Sequence, residues 1–373
     1  MAGRARRLVR WGLRGGAAVT LLAVVVLGAG LVIPGCPVGY VTRQSASYLR
    51  VLAARQPVER ALAAGEIDAE WLPKIETLQD AKRFGAQRLG LPADDLYETI
   101  SLAQPGPTWV VTACARDSLT PVTWWFPVVG RVTYKGFARR EHAEREIERL
   151  GDVDVLFYPV SAFSTLGWFR DPIRPSMLRG DDEGIVNLVL HEAAHGVLYW
   201  KGQTDFNESF ASFVGDVGAA MYLEDRLGPD CEPCVRAQAA RVDAPRFSAL
   251  ISEVVERLNH LYDEAVSRDE KIRRREEVFD WAKERYRETS WEGSSYDYFL
   301  QRDLDNAVIL SYRRYDSGRG AFDALLGHCG EDLTAAIRFV QDLDWPGLPR
   351  TRRRETSPME LLQEKLDEGL PCR

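Results

Sequence analysis

The chain has no surplus of positive charge. Forty-eight lysines and arginines face 55 aspartates and glutamates in 373 residues, a net of −7. Residues 1–35 hold five arginines and no acid, so the remainder carries −7 − 5 = −12. An acidic body lacks the electrostatic footprint of a nucleic-acid binder, and no nucleic-acid partner is expected. The cluster Lys271, Arg273, Arg274 and Arg275 is interleaved with Glu270, Glu276 and Glu277 and reads as a solvated helix face. Arg350, Arg352, Arg353 and Arg354 read as surface. Internal repeats and long linkers are also missing, which makes one compact unit over residues 36–373 the simplest organisation.

Long apolar runs are scarce. The leader supplies one, Ala17–Ile33, preceded by Arg4, Arg6, Arg7, Arg10 and Arg14. Its seventeen residues fall short of the roughly 20 that span a bilayer comfortably but lie within the tolerated range. A basic start followed by an apolar stretch is an export signal. Ile33-Pro34-Gly35-Cys36 looks like a lipobox with lipid on Cys36, although Pro34 departs from the usual pattern. The alternative is an uncleaved anchor helix ended by Pro34. Either way the body is tethered to a membrane on the exported side of a bacterial envelope, as the positive-inside rule requires.

Cysteine is too sparse for a zinc knuckle. Cys231-Glu232-Pro233-Cys234 has no second pair, and Cys114, Cys329 and Cys372 stand singly. In an exported protein disulfides are the simplest use, with Cys231–Cys234 as a local loop staple. The remaining connectivity stays open.

The patterning predicts an α+β fold, mainly α-helical. Residues 36–107 read as helical, with Gln44–Ala64, Ala69–Gly90 and Asp94–Leu102 as segments that Pro57 and Pro73 bend or shorten. Residues 108–180 turn β-branched and aromatic, giving a small mixed sheet from Thr108–Ala113, Thr120–Phe126, Val129–Gly136 and Asp154–Val160, with a charged helix at Glu141–Leu150. Residues 181–228 form a helix hairpin. Residues 229–373 are helical again, led by Asp243–Arg268 and Asp269–Glu288; the first carries Phe247, Leu250, Ile251, Val254, Leu258 and Leu261 at helical spacing.

Histidine is rare, five in the chain, yet two stand four apart in His191-Glu192-Ala193-Ala194-His195. Four residues make about one helical turn, so both imidazoles share a face and can hold one metal ion. Glu192 sits on the neighbouring flank, within reach of a metal-bound water as general base. This is the HExxH zinc-hydrolase arrangement. Gly202 breaks the helix, with His195 seven residues before it and Glu208 six after. On two antiparallel helices those positions stand at about the same height, so Glu208 completes a His-His-Glu set with a fourth tetrahedral position left open. Ala211, Ser212 and Gly215 are small enough for close approach. Without a cation, two histidines and a carboxylate inside an apolar hairpin would be unfavourable to bury.

The segments His191–His195 and Asn207-Glu208-Ser209-Phe210-Ala211 resemble gluzincin-type zinc peptidases. More narrowly, the chain resembles a family of bacterial predicted zinc aminopeptidases that often carry lipoprotein signals. Gly39-Tyr40, Trp125–Gly130, Tyr134–Phe137, Ser161–Phe169 and Asp171-Pro172 extend that resemblance over most of the chain after the leader. It implies a zincin-like fold, one Zn2+ per chain held by His191, His195 and Glu208, Glu192 as catalytic base, and a peptide substrate.

Further roles follow from position. Tyr312 and Tyr315, on the C-terminal helices, are candidate transition-state donors, although each reads more readily as an aromatic core residue with a satisfied hydroxyl. Asp216, two turns beyond Glu208, is a candidate to orient a ligand histidine. Ser164, Thr165, Leu166 and Gly167 are the candidate edge strand for an extended peptide. His260 and His328 stand alone. An aminopeptidase also needs a group that holds a free α-ammonium, and the sequence identifies none. Endopeptidase or oligopeptidase action, and a non-catalytic metal-binding envelope scaffold, therefore remain alternatives, the latter disfavoured by an intact Glu192.

Overall fold

The computed structural model describes residues 37–372 apart from 94–95, 104–105, 127–129, 161–170, 295 and 317. The leader, Cys36 and the candidate edge strand Ser164–Gly167 lie outside the described residues, as does the Tyr315 side chain.

Helix α1 (Pro37–Ala53) is separated from α2 (Val58–Ala63) by Gln56–Pro57, which forms strand β1. Proline has no N–H to continue the helix and forces an extended conformation on the residue before it, so the single helix expected over Gln44–Ala64 is cut here. A 3-10 turn, Ala69–Trp71, leads into α3 (Leu72–Leu89), with Pro73 tolerated in its first turn and Gly90 ending it at φ 67°. Thr99–Ile100 pairs with Gln56–Pro57 as strand β2, where a helix was expected. Its β-branched residues suit the pleat.

Strands β3 (Thr108–Cys114), β4 (Trp124–Phe126), β5 (Gly130–Val132) and β6 (Tyr134–Phe137) precede α4 (Arg140–Leu150) and β7 (Asp154–Val160). The three-stranded sheet has the order β6-β3-β7, and β4 pairs with β5. All these pairings are antiparallel, so the small sheet is present but is not mixed. Helix α4 joins β6 to β7 on opposite edges of β3, a connection that leaves both antiparallel to it. The register fixes two faces. Lys135, Phe137, Val111 and Phe157 point one way, where Val111 and Phe137 join Ala143 of α4 in a small core. Tyr134, Thr112, Val110 and Tyr158 point the other way.

The metal hairpin, α5 (Asp182–Val197) and α6 (Thr204–Leu227), packs on α3 and on the C-terminal helices in the largest apolar core. Next, α7 (Glu232–Asp263) and α8 (Arg268–Glu288) form the expected antiparallel pair. Helix α7 begins eleven residues before Asp243 and runs through Pro245. Cys231–Cys234 is therefore not in a loop but at the helix start. Cys231 is its N-cap, bonded to Cys234 as a disulfide, and Pro233 suits the first turn. The short α9 (Tyr298–Gln301), α10 (Asn306–Asp316), α11 (Arg319–His328), α12 (Leu333–Asp342), α13 (Arg352–Glu355) and α14 (Pro358–Asp367) complete the chain. A second disulfide, Cys329–Cys372, fastens the C-terminus, and Cys114 is buried as a thiol. Among the described residues no helix is long and apolar enough to cross a membrane.

Candidate metal centre

Helix α5 starts where Asp181 accepts the Gly184 N–H at 2.9 Å. Ile185, Val186, Val189, Leu190, Ala193 and Ala194 are buried along it, and that packing fixes the helix's rotation. His191 and His195 thereby share one flank, ring centroids 4.9 Å apart. The turn to α6 passes through Gly202 at φ 78°, a left-handed conformation that glycine adopts without strain. Buried Asn207 locks the turn: its Oδ1 accepts the Trp200 N–H at 2.9 Å and its Nδ2 donates to the Trp200 carbonyl at 2.9 Å. Trp200 also stacks on Phe206 at 4.9 Å. These contacts set the height of α6 against α5.

Close approach of the two helices depends on glycine. A Cβ on Gly215 would meet the Asn187 carbonyl at 3.0 Å and His191 Cβ at 3.2 Å; one on Gly218 would meet Leu190 Cδ1 at 2.7 Å. Glu208 Oε2 then lies 3.5 Å from His191 Nε2, and Glu208 Oε1 lies 3.9 Å from His195 Nε2. The donor atoms of all three residues fall within 4.8 Å of one another. Ligands about 2.0–2.1 Å from a tetrahedral zinc stand about 3.3 Å apart, so small side-chain adjustments close the set on one ion.

The electrostatics suit a cation. Burial drives the His195 pKa down to about 4, Glu208 opposing and His191 adding to the fall, so its imidazole is neutral at neutral pH. Burial also disfavours a proton on His191, but the bond to Glu208 and the charges of Glu192, Glu208 and Asp216 outweigh it and hold the pKa above its ordinary value. Burial works against the Glu208 carboxylate too, yet both histidines and Arg314 keep its pKa low. Two imidazoles and one carboxylate, converging and largely desolvated, could hold a metal ion. His195 Nδ1 is buried without a hydrogen-bond partner among the described residues.

Glu192 faces a different set. Its charge acts on Tyr97 and Arg174, both buried. Tyr97 has φ 56°, rare for an aromatic residue, and its N–H donates to the Asp171 carbonyl at 3.1 Å. Arg174 reaches Thr108 Oγ1 at 3.4 Å, linking this group to β3.

Asp216 accepts Asn187 Nδ2 at 2.7 Å and pairs with Arg319 at 3.1 Å. It bonds neither imidazole, although its charge reaches His191. With Asn187, Ser212, Tyr312 and Arg319 it lines a cavity of about 440 Å3, whose wall includes none of the three metal-donor residues. Tyr312 is packed among Phe247 at 5.4 Å, Phe299 at 5.6 Å and Tyr298 at 6.0 Å, in the core of α7, α8 and α10. His260 and His328 stand away from the set.

Two tyrosines that sequence reasoning passed over lie within its electrostatic reach. Tyr134, on the inner sheet face, and Tyr199, four residues after His195, both feel the charge of Glu208. Burial leads in raising the pKa of each, so both hydroxyls keep their protons at neutral pH. Arg314 brackets this corner. It donates to Thr133 Oγ1 at 2.8 Å and to Asp205 Oδ1 at 3.2 Å, while its carbonyl accepts Ser209 Oγ at 3.1 Å. The residue before Tyr134 is thus tied to the first turns of α6, on either side of Glu208.

Comparison with known proteins adds one match. Residues 39–356 fit the model of a family described as "Putative aminopeptidase". No curated protein and no solved structure matches the chain. With most of its length inside that family model, the chain belongs to the aminopeptidase family so described.

Proposed function

We propose that the protein is a zinc-dependent aminopeptidase, carried on the exported side of a bacterial membrane by its leader as a lipoprotein or by an anchor helix. The observation that carries the reading is the convergence of His191, His195 and Glu208 donors within 4.8 Å on a hairpin that also presents Glu192. A zinc ion held by such a set supplies Lewis acidity at the scissile carbonyl and acidifies water towards neutrality.

The chain's own groups do the rest. Glu192 takes the proton of the attacking water and hands it to the leaving amine. Arg174 is buried within electrostatic reach of Glu192. Tyr134 and Tyr199 keep their protons and lie within electrostatic reach of Glu208, so we assign them, in place of Tyr312, as donors to the developing oxyanion.

The test compares metal content and peptide turnover in the wild type and Glu192→Gln. Retained zinc with turnover reduced about 10²–10⁴-fold, the usual worth of a general base, is expected. Unchanged turnover in the variant would reject the mechanism. A protein that binds no divalent metal would reject the site.

A further inference from the structure

We propose that α1 is a stop built onto the peptide-binding edge of the sheet, restricting substrates to those that enter by their N-terminal end. The proposal rests on the peptidase reading above and adds the feature that distinguishes end-cutting from internal cleavage.

Among the described residues β6 pairs only with β3, so it is a sheet edge. The side chains of α1 occupy part of that edge. Gln44 Nε2 donates to the Gly136 carbonyl at 3.2 Å, and Gln44 Oε1 accepts the Ala138 N–H at 3.3 Å. A neighbouring strand would offer the same donor and acceptor at those positions, so one amide side chain imitates it. Tyr40 adds a second donor to the Gly136 carbonyl at 2.6 Å. The Tyr40 ring is held by Lys135 at 4.6 Å and by Phe137 and Phe126 at 5.4 Å each. This end of the edge is closed by a packed aromatic cluster.

Among the described residues nothing covers the other end. Backbone groups alternate along an antiparallel strand, so if Gly136 and Ala138 point outwards, Tyr134 does too. No described residue pairs with Tyr134 on that side. Arg314 fastens this end to Asp205 and Ser209, beside Glu208. An extended peptide pairing at Tyr134 would run beside the turns of α6 that Arg314 ties to Thr133, and it would meet Gln44 and Tyr40 two residues further along, about 7 Å at the rise of a strand. Only a residue or two of substrate fits between. In an aminopeptidase that short side holds the substrate's N-terminus. Internal cleavage would require the chain to continue through α1.

The test uses the full zinc-loaded protein, Tyr40→Phe, Gln44→Ala and their double variant. Gln44→Glu, which keeps the volume and the acceptor, serves as the milder replacement should Gln44→Ala fold poorly. Masses of products from a free peptide and from its N-acetylated, extended counterpart report the cut position. The wild type should release only one- or two-residue N-terminal fragments. The variants should gain internal cuts by about tenfold for each hydrogen bond removed. Longer fragments from the wild type, or an unchanged pattern in the double variant, would overturn the proposal. Amide exchange separates this from failure of the peptidase reading. Should no peptide be turned over at all, Glu192→Gln protein is mixed with each peptide. The free peptide should then slow exchange at Tyr134 in the presence of α1 contacts. The acetylated, extended peptide should do so only in the double variant. Protection by both peptides without the substitutions, or by neither with them, sinks the stop.

Discussion

Asp154→Ala should be among the most damaging single changes outside the metal hairpin. Asp154 begins β7 and is bound in two places by Arg275 of α8, Nη1 to Oδ2 at 2.6 Å and Nη2 to Oδ1 at 3.1 Å. Their side chains are 7 % and 4 % exposed, so neither charge is well hydrated. The same carboxylate accepts the Asn306 N–H at 3.1 Å at the start of α10, and Asn306 Nδ2 donates to the Ala115 carbonyl at 2.8 Å. Truncation takes the buried bidentate partner from Arg275, leaving it the Arg116 carbonyl at 2.8 Å and the exposed Glu276 at 3.2 Å, so the cost is about 2–4 kcal/mol for the guanidinium and about 1 kcal/mol more for the amide N–H. Against a total stability of about 5–15 kcal/mol that is a large share. Replacing both partners, as in Asp154→Leu with Arg275→Met, removes the stranded charge and should recover more than half the loss. Urea unfolding of the two singles and the double measures this. Helix α10 carries Arg314 at its far end, so Asp154→Ala should also lower turnover while zinc affinity holds, since α5 and α6 pack in a different core. A single variant within about 1 kcal/mol of wild type, or a double no better than the single, would refute the argument.

Other substitutions test the site and its surroundings. Glu208→Gln should weaken zinc by on the order of 10²-fold in a chelator competition, taking one ligand's share of the roughly 10–16 kcal/mol of a four-ligand site. Gly215→Val would place a Cβ 3.0 Å from the Asn187 carbonyl and 3.2 Å from His191 Cβ. It should cost about 1–3 kcal/mol in unfolding experiments and loosen zinc as the helices part. Burial raises the Asp323 pKa, with Arg319 and Arg241 opposing, and its Oδ2 is buried without a hydrogen-bond partner among the described residues. Well below about pH 4 the group is neutral folded or unfolded and costs nothing. As pH rises through its ordinary value and then its raised folded value, ionisation favours the unfolded chain, so stability falls. Asp323→Asn should therefore raise the melting temperature at neutral pH and leave it little changed in acid; a uniform shift at both would contradict this.

Those elements whose pattern is local were legible in the sequence. Asp154–Val160 and the charged helix after β6 fall where β-branched runs and helical periodicity place them. Thr99–Ile100 escaped because it is a strand only by pairing with Gln56–Pro57, some forty residues away, and no periodicity marks two residues. The early start of α7 escaped for a related reason. Cys231 and Pro233 are loop-like in isolation, but a disulfide N-cap followed by proline is a helix start. The antiparallel order of β6, β3 and β7 was hidden as well, since an intervening helix suggests a crossover unless the edge each strand occupies is known.

The candidate site divides along the same line. His191, His195 and Glu208 were readable because helix geometry and one glycine fix their relative heights, and the separations of 3.5 Å and 3.9 Å follow from that. The hydroxyls near them were not readable. Tyr312 was favoured by its place on a C-terminal helix, whereas its helix turns it into the aromatic cluster around Phe247. Tyr134 reaches Glu208 from a strand seventy-four residues earlier, and what brings it there is Arg314, a buried cation bonded to Thr133 and Asp205 across that gap. A cation buried in this way is held by its partners' geometry, not by its own propensity, so neither end signals the other in sequence. In this chain the proposed donor Tyr134 is accordingly placed by a buried arginine that ties its strand to the hairpin.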